Sequence, residues 1–351
     1  MNRRYVVSCL LALLVLSGSA AGTLTIYFID VEGGQSTLVV TPAGESLLID
    51  AGFPSNGSFG SKPGDPATSR DPQRILAAAK DAGISRIDNL MITHFHADHM
   101  GGVPELAQLI PIRRFIDHGT VPADADHTVG GTLAAFDLYA ATRAKGAQHL
   151  QPKAGDKLPL RDLDVTVVSA GGAVLGTPMA GAASGANAAC GPMVAPQEPI
   201  ENPRSTGIVL RFGKFRFLDI GDLIGEPLHA LACPRDLIGP VDVYLVAHHG
   251  GADVADPATF AAFRPRVAIV NNGPAKGGAP ETIASVNQSP GLEAAWQLHR
   301  AEPQGSLNLP DPQIANLDVR TSHWIKLRAS EDGSFDVTNG RTGATRSFRA
   351  R

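Results

Sequence analysis

The chain has 351 residues, of which 18% are charged and 5% aromatic, and its formal net charge is −4. No segment concentrates lysine and arginine into a stripe, so the composition argues against a long nucleic-acid track, which needs many phosphate contacts. The length is large for one domain but acceptable for a layered sheet fold with long loops. We therefore predict a single domain over residues 23–351.

Residues 1–22 have the organisation of a signal peptide. Arg3 and Arg4 give a positive start, an apolar stretch follows over residues 6–16, and small residues fill positions 17–22. The apolar stretch is shorter than the roughly 20 residues that span a bilayer. We expect cleavage, a periplasmic or secreted mature protein and no stable membrane insertion; a retained anchor helix is the alternative.

The residues after this segment have the pattern of an antiparallel β meander. Apolar and β-branched residues alternate or run together at 23–30, 36–40 and 46–50. Gly33 and Gly34 mark the turn between the first two strands. The chain is thus predicted to begin with three sequential strands.

A helix is predicted after the surface excursion at residues 53–70, which is rich in Gly, Ser, Pro and Asn. Asp71 is the expected N-cap, Pro72 the first helical residue, and Gly83 the stop.

Strands and helices alternate along the rest of the chain, as in a layered α/β architecture whose reactive groups lie on loops at strand ends. The predicted strands are residues 89–93, 113–117, 206–212, 215–220, 241–246, 267–271 and a closing hairpin of 324–327 with 334–337, and the predicted helices are residues 103–110, 257–263 and 292–299.

Residues 171–203 are low in charge and dense in Gly, Ala and Pro, which predicts a long irregular loop. Removal of the leader takes Cys9 with it and leaves Cys190 and Cys233. In an oxidising compartment the two can form a disulfide, and two unpaired buried thiols are the alternative.

Three imidazoles and one carboxylate lie within six residues, at His94, His96, Asp98 and His99. Residues two apart on an extended segment project the same way, so the first two can bind one ion while Asp98 and His99 reach a second. Imidazole and carboxylate suit zinc best, with iron and manganese as alternatives. The competing interpretation is a structural or adventitious histidine cluster, but the apolar strand that precedes the run argues against it.

The His-x-His-x-Asp-His run followed by Gly101 and Gly102 resembles the signature of the metallo-β-lactamase fold superfamily. Further segments resemble the secreted hydrolase domain of ComEC-like competence proteins, and together they extend the resemblance over about residues 23–272. These segments are residues 28–31, 48–52, 219–222 and 246–250.

The resemblance implies a four-layer αββα sandwich, an α/β (α+β) fold, with two metal ions. It assigns His94 and His96 to the first ion and Asp98 and His99 to the second. It also makes Asp222 the bridging carboxylate, His248 or His249 the last ligand, and Asp50 a buried aspartate that supports the motif loop without binding metal.

The sequence departs from the family pattern in two places. The competence-type start Asp-Val-Gly-Gln-Gly-Asp is replaced by residues 30–35, which end in Gln35, so the role of the final acid is not transferred. Many members also supply a third histidine to the first metal, where this chain offers only Asn202, Arg204 and Ser205. His118, which follows a predicted strand, is the candidate substitute; otherwise it is a substrate or supporting group.

These residues predict an exported metal-dependent hydrolase in which a metal-activated hydroxide attacks a carbonyl or phosphoryl centre. Asp98 would orient or deprotonate the water, while His118 or the His248 and His249 pair would assist the leaving group.

The substrate is expected to be a small molecule or a phosphodiester. The competence-type resemblance favours phosphodiesters, and lactones and β-lactams are the alternatives. Two other classes stay open: a non-catalytic, metal-depleted binding protein of the same fold, and a single-iron redox enzyme such as a persulfide dioxygenase.

Overall fold

The computed structural model describes residues 22–56, 60–145, 148–303 and 305–351, so the predicted signal peptide lies outside the described residues except for Gly22. Within these ranges the strands form two nine-stranded sheets. The strands are β1 (Leu24–Phe28), β2 (Thr37–Val40), β3 (Ser46–Ile49), β4 (Asn89–Met91), β5 (Arg114–Ile116), β6 (Gln148–Leu150), β7 (Lys157–Leu158), β8 (Asp164–Ala170), β9 (Ala173–Val174), β10 (Gly207–Phe212), β11 (Phe215–Asp219), β12 (Val243–Leu245), β13 (Val267–Val270), β14 (Ala294–His299), β15 (Ile314–Asn316), β16 (Ile325–Ala329), β17 (Ser334–Asn339) and β18 (Thr345–Arg349).

The α-helices lie between the strands. They are α1 (Arg70–Asp81), α2 (Ala97–Met100), α3 (Val103–Leu109), α4 (Thr132–Arg143), α5 (Gly225–Ala232), α6 (Pro257–Phe263) and α7 (Pro280–Asn287). None of the helices in the described residues is both long and apolar enough to cross a membrane.

Each sheet combines an antiparallel part with a parallel part. The first sheet has the order β18-β17-β16-β1-β2-β3-β4-β5-β6, and β3 to β6 are parallel. The second has the order β15-β14-β13-β12-β11-β10-β8-β7, with β9 beside β8, and β11 to β15 are parallel. In parallel strands the carboxyl ends meet at one edge, where reactive groups can converge.

Three apolar clusters hold the layers together. One fills the space between the sheets and joins residues such as Phe28 and Phe217, whose rings are 5.8 Å apart. The second packs α5, α6 and α7 on the outer face of the second sheet. The third packs α1, α3 and α4 on the first sheet. The order helix, sheet, sheet, helix confirms the predicted αββα sandwich.

The predicted helix at residues 292–299 is wrong, because Ala294 to His299 form strand β14 and all six of these residues are buried. Leu, Glu and Ala favour a helix, but a position between two parallel strands overrides that local preference. The predicted N-cap is also wrong. Ser69 occupies the N-cap, and Asp71 lies in the first turn, where its carboxylate accepts a hydrogen bond from the Phe53 amide at 2.8 Å.

Candidate metal centre

The histidine-rich run leaves β4 and is held in place by Asp50, the residue after β3. Asp50 Oδ1 accepts the Thr93 amide at 2.8 Å, and Oδ2 accepts the Thr93 hydroxyl at 2.7 Å. The same Oδ2 lies 2.7 Å from His99 Nδ1. Asp50 is fully buried and has a left-handed backbone with φ 60°. It therefore fixes both the path of the run and the orientation of the His99 ring, as the resemblance implies.

Four buried groups from three segments of the chain converge here, two of them from this run. Asp98, His99, Asp222 and His249 each offer one donor atom, and these atoms lie within 4.8 Å of one another. Asp222 Oδ2 is 3.2 Å from His99 Nε2 and 3.1 Å from His249 Nε2. Asp98 Oδ2 is 3.3 Å and 3.2 Å from the same two nitrogens. The predicted ligands are thus brought together from both sheets.

His94 and His96 form a second pair of donors next to this cluster. His94 Nε2 lies 2.9 Å from His96 Nδ1 and 3.9 Å from Asp222 Oδ2. Burial and the neighbouring His99 lower the pKa of His94, and burial lowers the pKa of His96. Both rings are therefore favoured as neutral imidazoles, which is the form that binds metal.

His248, the neighbour of His249 in the chain, also approaches Asp222. Its Nε2 is 3.9 Å from Asp222 Oδ2, and its Nδ1 is held by Asp253 Oδ1 at 2.7 Å. His248 and His249 both have left-handed backbones, with φ 46° and φ 53°. This uncommon pair of conformations turns the two adjacent rings toward the same carboxylate.

His118 is placed differently from the other predicted site residues. Its Nε2 is 2.8 Å from Glu201 Oε1, which also accepts the amide of Phe95 at 2.9 Å. Its ring packs on Phe95, with centroids 4.3 Å apart. The structure therefore pairs His118 with a carboxylate behind the motif loop and does not bring it into the four-group cluster, and its predicted ligand or catalytic role stays a prediction.

The two departures from the family pattern have visible consequences. The side-chain Nε2 of Gln35 donates to both carboxylate oxygens of Asp219, at 3.0 and 3.1 Å. The backbone N–H of Gln35 donates to the backbone carbonyl of Asp98 at 3.1 Å. Near the position of the absent third histidine, the Asn202 side-chain amide lies 3.3 Å from His248 Nε2. Gln35 thus supports the motif loop, and Asn202 contacts a predicted ligand.

Lys276 is a site residue that the sequence analysis missed. It lies on the loop after β13, and its ammonium contacts Asp98 Oδ2. A lone lysine in a Gly-rich loop has no distinguishing sequence signal, and only the position of that loop at the end of a parallel strand hinted at a role.

The charges of the cluster are coupled. Burial raises the pKa of Asp222, but His249, His99 and His248 outweigh it and hold the pKa well below its ordinary value. Burial also opposes ionisation of Asp98, and the Lys276 and His99 charges reverse that effect and lower its pKa. Both carboxylates are therefore anionic at neutral pH, as ligands of a cation require.

The donor set fits a divalent metal. Two imidazole nitrogens, on His99 and His249, face each other at 3.3 Å with two carboxylate oxygens beside them. Asp222 Oδ1 and His96 Nε2 are buried and have no hydrogen-bond partner among the described residues. Nitrogen and oxygen donors at this spacing suit zinc, iron or manganese.

The chain is similar to known proteins in part of its sequence and in its structure. No curated protein matches the sequence significantly. Solved structures with similar coordinates include a metallo-beta-lactamase HARLDQ-motif mutant from Cronobacter sakazakii, at 17% identity and TM-score 0.32 over 56% of this chain and 60% of that one. Another is CmlA, a diiron beta-hydroxylase from Streptomyces venezuelae, at 14% identity and TM-score 0.37 over 72% of this chain and 45% of that one. A third is MEM-A1, a subclass B3 metallo-beta-lactamase isolated from a soil metagenome library, at 14% identity and TM-score 0.38 over 70% of this chain and 86% of that one.

The chain spans less than two thirds of the length of the first two of these structures. Residues 29–189, which include the whole motif loop, match the family model of the metallo-beta-lactamase superfamily. The match covers slightly less than half of the chain, which is similar to this superfamily over those residues. The αββα architecture described above is consistent with the metallo-beta-lactamase fold.

Proposed function

We propose that this protein is an exported metal-dependent hydrolase that binds two divalent ions. The observation that supports this most strongly is the convergence of Asp98, His99, Asp222 and His249 at the carboxyl ends of parallel strands. His94 and His96 give a second set of donors, and His94 Nε2 lies 3.9 Å from Asp222 Oδ2. In this assignment Asp222 would be a ligand of both ions.

A divalent metal at this centre supplies a Lewis acid and lowers the pKa of water toward neutrality. The candidate ligands of the first ion are His94 and His96, and those of the second are Asp98, His99 and His249. Zinc is the proposed ion, with iron and manganese as alternatives.

The residues of the chain have distinct tasks in this proposal. Asp50 and Asp253 each hold the Nδ1 of one histidine, which leaves that ring's Nε2 facing Asp222. Asp98 is the group that would orient the attacking water, because its Oδ2 lies between the His99 and His249 rings. His248 is the better placed of the predicted leaving-group residues, since His118 is bonded to Glu201.

We propose phosphodiesters of modest size as the substrate class. The lysine beside Asp98 supports an anionic substrate, and the absence of a basic stripe in the sequence disfavours a long nucleic acid. Lactones and β-lactams remain the alternative substrates, because fold and metal alone do not select among these bonds.

The test combines elemental analysis of the purified protein with hydrolysis of bis(p-nitrophenyl) phosphate, before and after Asp98→Ala. We expect about two metal equivalents and a rate that falls at least about 100-fold in the variant, because a ligand of the second ion is lost. Asp137→Ala, which changes an exposed residue of α4, is the matched control.

The outcomes separate the alternatives. Metal without phosphodiesterase activity would favour lactones or β-lactams, to be assayed next. A protein that binds no metal under these conditions would contradict the enzyme proposal and favour a binding protein of the same fold.

A further inference from the structure

Lys276 combines exposure with a contact inside the metal centre. Its side chain is 41% exposed, yet its ammonium contacts Asp98 Oδ2, on a side chain that is only 10% exposed. Part of the side chain is therefore in solvent, while its ammonium lies against a predicted ligand.

The backbone around Lys276 is tightly held. The Gly273 amide donates to the Lys276 carbonyl at 2.8 Å and closes a short turn. A Cβ on Gly33 would lie 2.9 Å from the Lys276 Cβ, and a Cβ on Gly277 would lie 2.2 Å from the His249 carbonyl oxygen. Glycine is thus required on both sides, and the lysine is anchored between the 31–34 turn and His249.

The charges near the ammonium show what it can bind. Asp98 and Asp222 are the carboxylates that interact with it, and His248 is a nearby imidazole. A divalent cation held by Asp98 would compete with the ammonium for the same oxygen, and their like charges would repel. The four-carbon stem of lysine is flexible, so the ammonium could then leave Asp98 for another anionic group while its backbone stays fixed.

We propose that Lys276 binds the anionic group of the substrate, a phosphoryl or carboxylate group, at this centre. The inference rests on the proposed hydrolase function and deepens it by naming an anionic substrate class. Lys276 is a specificity residue in this scheme and not a metal ligand.

The first test compares an anionic and a neutral substrate on the metal-loaded protein. For Lys276→Ala we expect the KM for bis(p-nitrophenyl) phosphate to rise about tenfold or more, because one charge-assisted contact is lost. The KM for neutral p-nitrophenyl acetate and the metal content should stay unchanged. Lys276→Arg keeps the charge and should stay within about threefold of the wild type, and Lys80→Ala, at an exposed position of α1, is the matched control.

The second test needs no turnover. Calorimetric titration of the metal-loaded protein with orthophosphate and, separately, with benzoate distinguishes the two anion sources. We expect Lys276→Ala to weaken the binding of at least one of them about tenfold. A preference for phosphate supports phosphodiesters, and a preference for benzoate supports carboxylate-bearing substrates.

Two results would overturn the proposal. One is an equal loss toward the anionic and the neutral ester in Lys276→Ala, and the other is a loss of bound metal, which would make the lysine a support for Asp98. If the protein binds metal but hydrolyses neither ester, the phosphodiester proposal fails, while the anion titration still decides the role of Lys276: binding unchanged in Lys276→Ala would overturn it.

Discussion

Two carboxylate and imidazole pairs orient predicted ligands on opposite sides of the centre, and they differ in their surroundings. Asp50 and His99 lie in segments that follow strands of the first sheet, and both side chains are fully buried. Asp253 and His248 lie in the segment that follows β12 of the second sheet, and the histidine side chain is 13% exposed. Both pairs have the same 2.7 Å contact between Nδ1 and a carboxylate oxygen. The same local chemistry is therefore set in a rigid position on one side and a more open one on the other.

The partners of the two carboxylates explain this difference. Asp50 also accepts the amide and hydroxyl of Thr93, so it connects two adjacent strand ends. Asp253 also accepts the amide of Gln197, which belongs to the long loop at 171–203. One side of the centre is thus fixed by neighbouring strands, and the other depends on how a loop is held.

The largest difference is expected between Asp50→Ala and Asp253→Ala. Loss of Asp50 leaves the buried Thr93 amide and His99 Nδ1 without an acceptor, so we expect metal affinity to fall about 10- to 100-fold and stability by about 3 kcal/mol. Loss of Asp253 should weaken metal binding by less than about tenfold, because water can reach His248. Competition with a chelator and urea unfolding measure the two effects.

Asp50→Asn is the conservative control, since it keeps an oxygen for the Thr93 amide. Equal losses of metal in Asp50→Ala and Asp253→Ala would show that the contrast between a rigid and an open side is mistaken.

The second prediction concerns the disulfide between Cys190 and Cys233. The sequence left open whether these cysteines are bonded, and in the structure they form a disulfide with Cα atoms 5.8 Å apart. It ties the 171–203 loop to the residue after α5 and closes a separation of 43 residues. Changing both cysteines to serine should lower the free energy of unfolding by about 2–4 kcal/mol.

The same variant sharpens the comparison of the two sides. Of the four clustered donors, Asp98, His99 and His249 lie outside residues 190–233, and Asp222 follows strand β11 within them. Metal content should therefore stay near the wild-type value, while Asn202 and the Asp253 contact to Gln197 become less ordered. Hydrogen exchange of residues 196–205 would show this, and loss of both metals would contradict it.

The two sides also differ in how far the sequence predicts them. His94, His96, Asp98 and His99 are close in the chain, and a β-strand before them fixes their direction, so a local pattern suffices to predict their convergence. Asp222 and the histidine pair needed the family resemblance, because each is separated from the motif by more than a hundred residues.

Other features had no local signal at all. Lys276 follows β13 of the second sheet and Asp98 follows β4 of the first, so their contact depends on how the two sheets pack and not on any motif. Strand β14 was predicted as a helix for the same reason, since its environment between two strands decides its conformation. The local sequence pattern predicts individual strands and helices and the 94–99 motif. The pairing of segments that are distant in the chain depends on how the sheets pack.

The smallest expected effect is a pH dependence that is present on both sides of the centre. Burial raises the pKa of Asp30, after β1, to about 7, and burial also raises the pKa of Asp219, at the end of β11, to about 7. A carboxyl whose pKa is higher in the folded state than in the unfolded chain contributes stability at low pH, and that contribution is lost as the pH rises through the folded value. The free energy of unfolding should therefore fall by about 1 kcal/mol per pH unit for each group between pH 5 and pH 6.

Asp30→Asn and Asp219→Asn should each reduce, by that amount, the slope of the free energy of unfolding in urea against pH. A slope changed only by Asp30→Asn would mean that Gln35, which donates to Asp219, keeps that carboxylate charged, and that the second side of the centre is the more polar one.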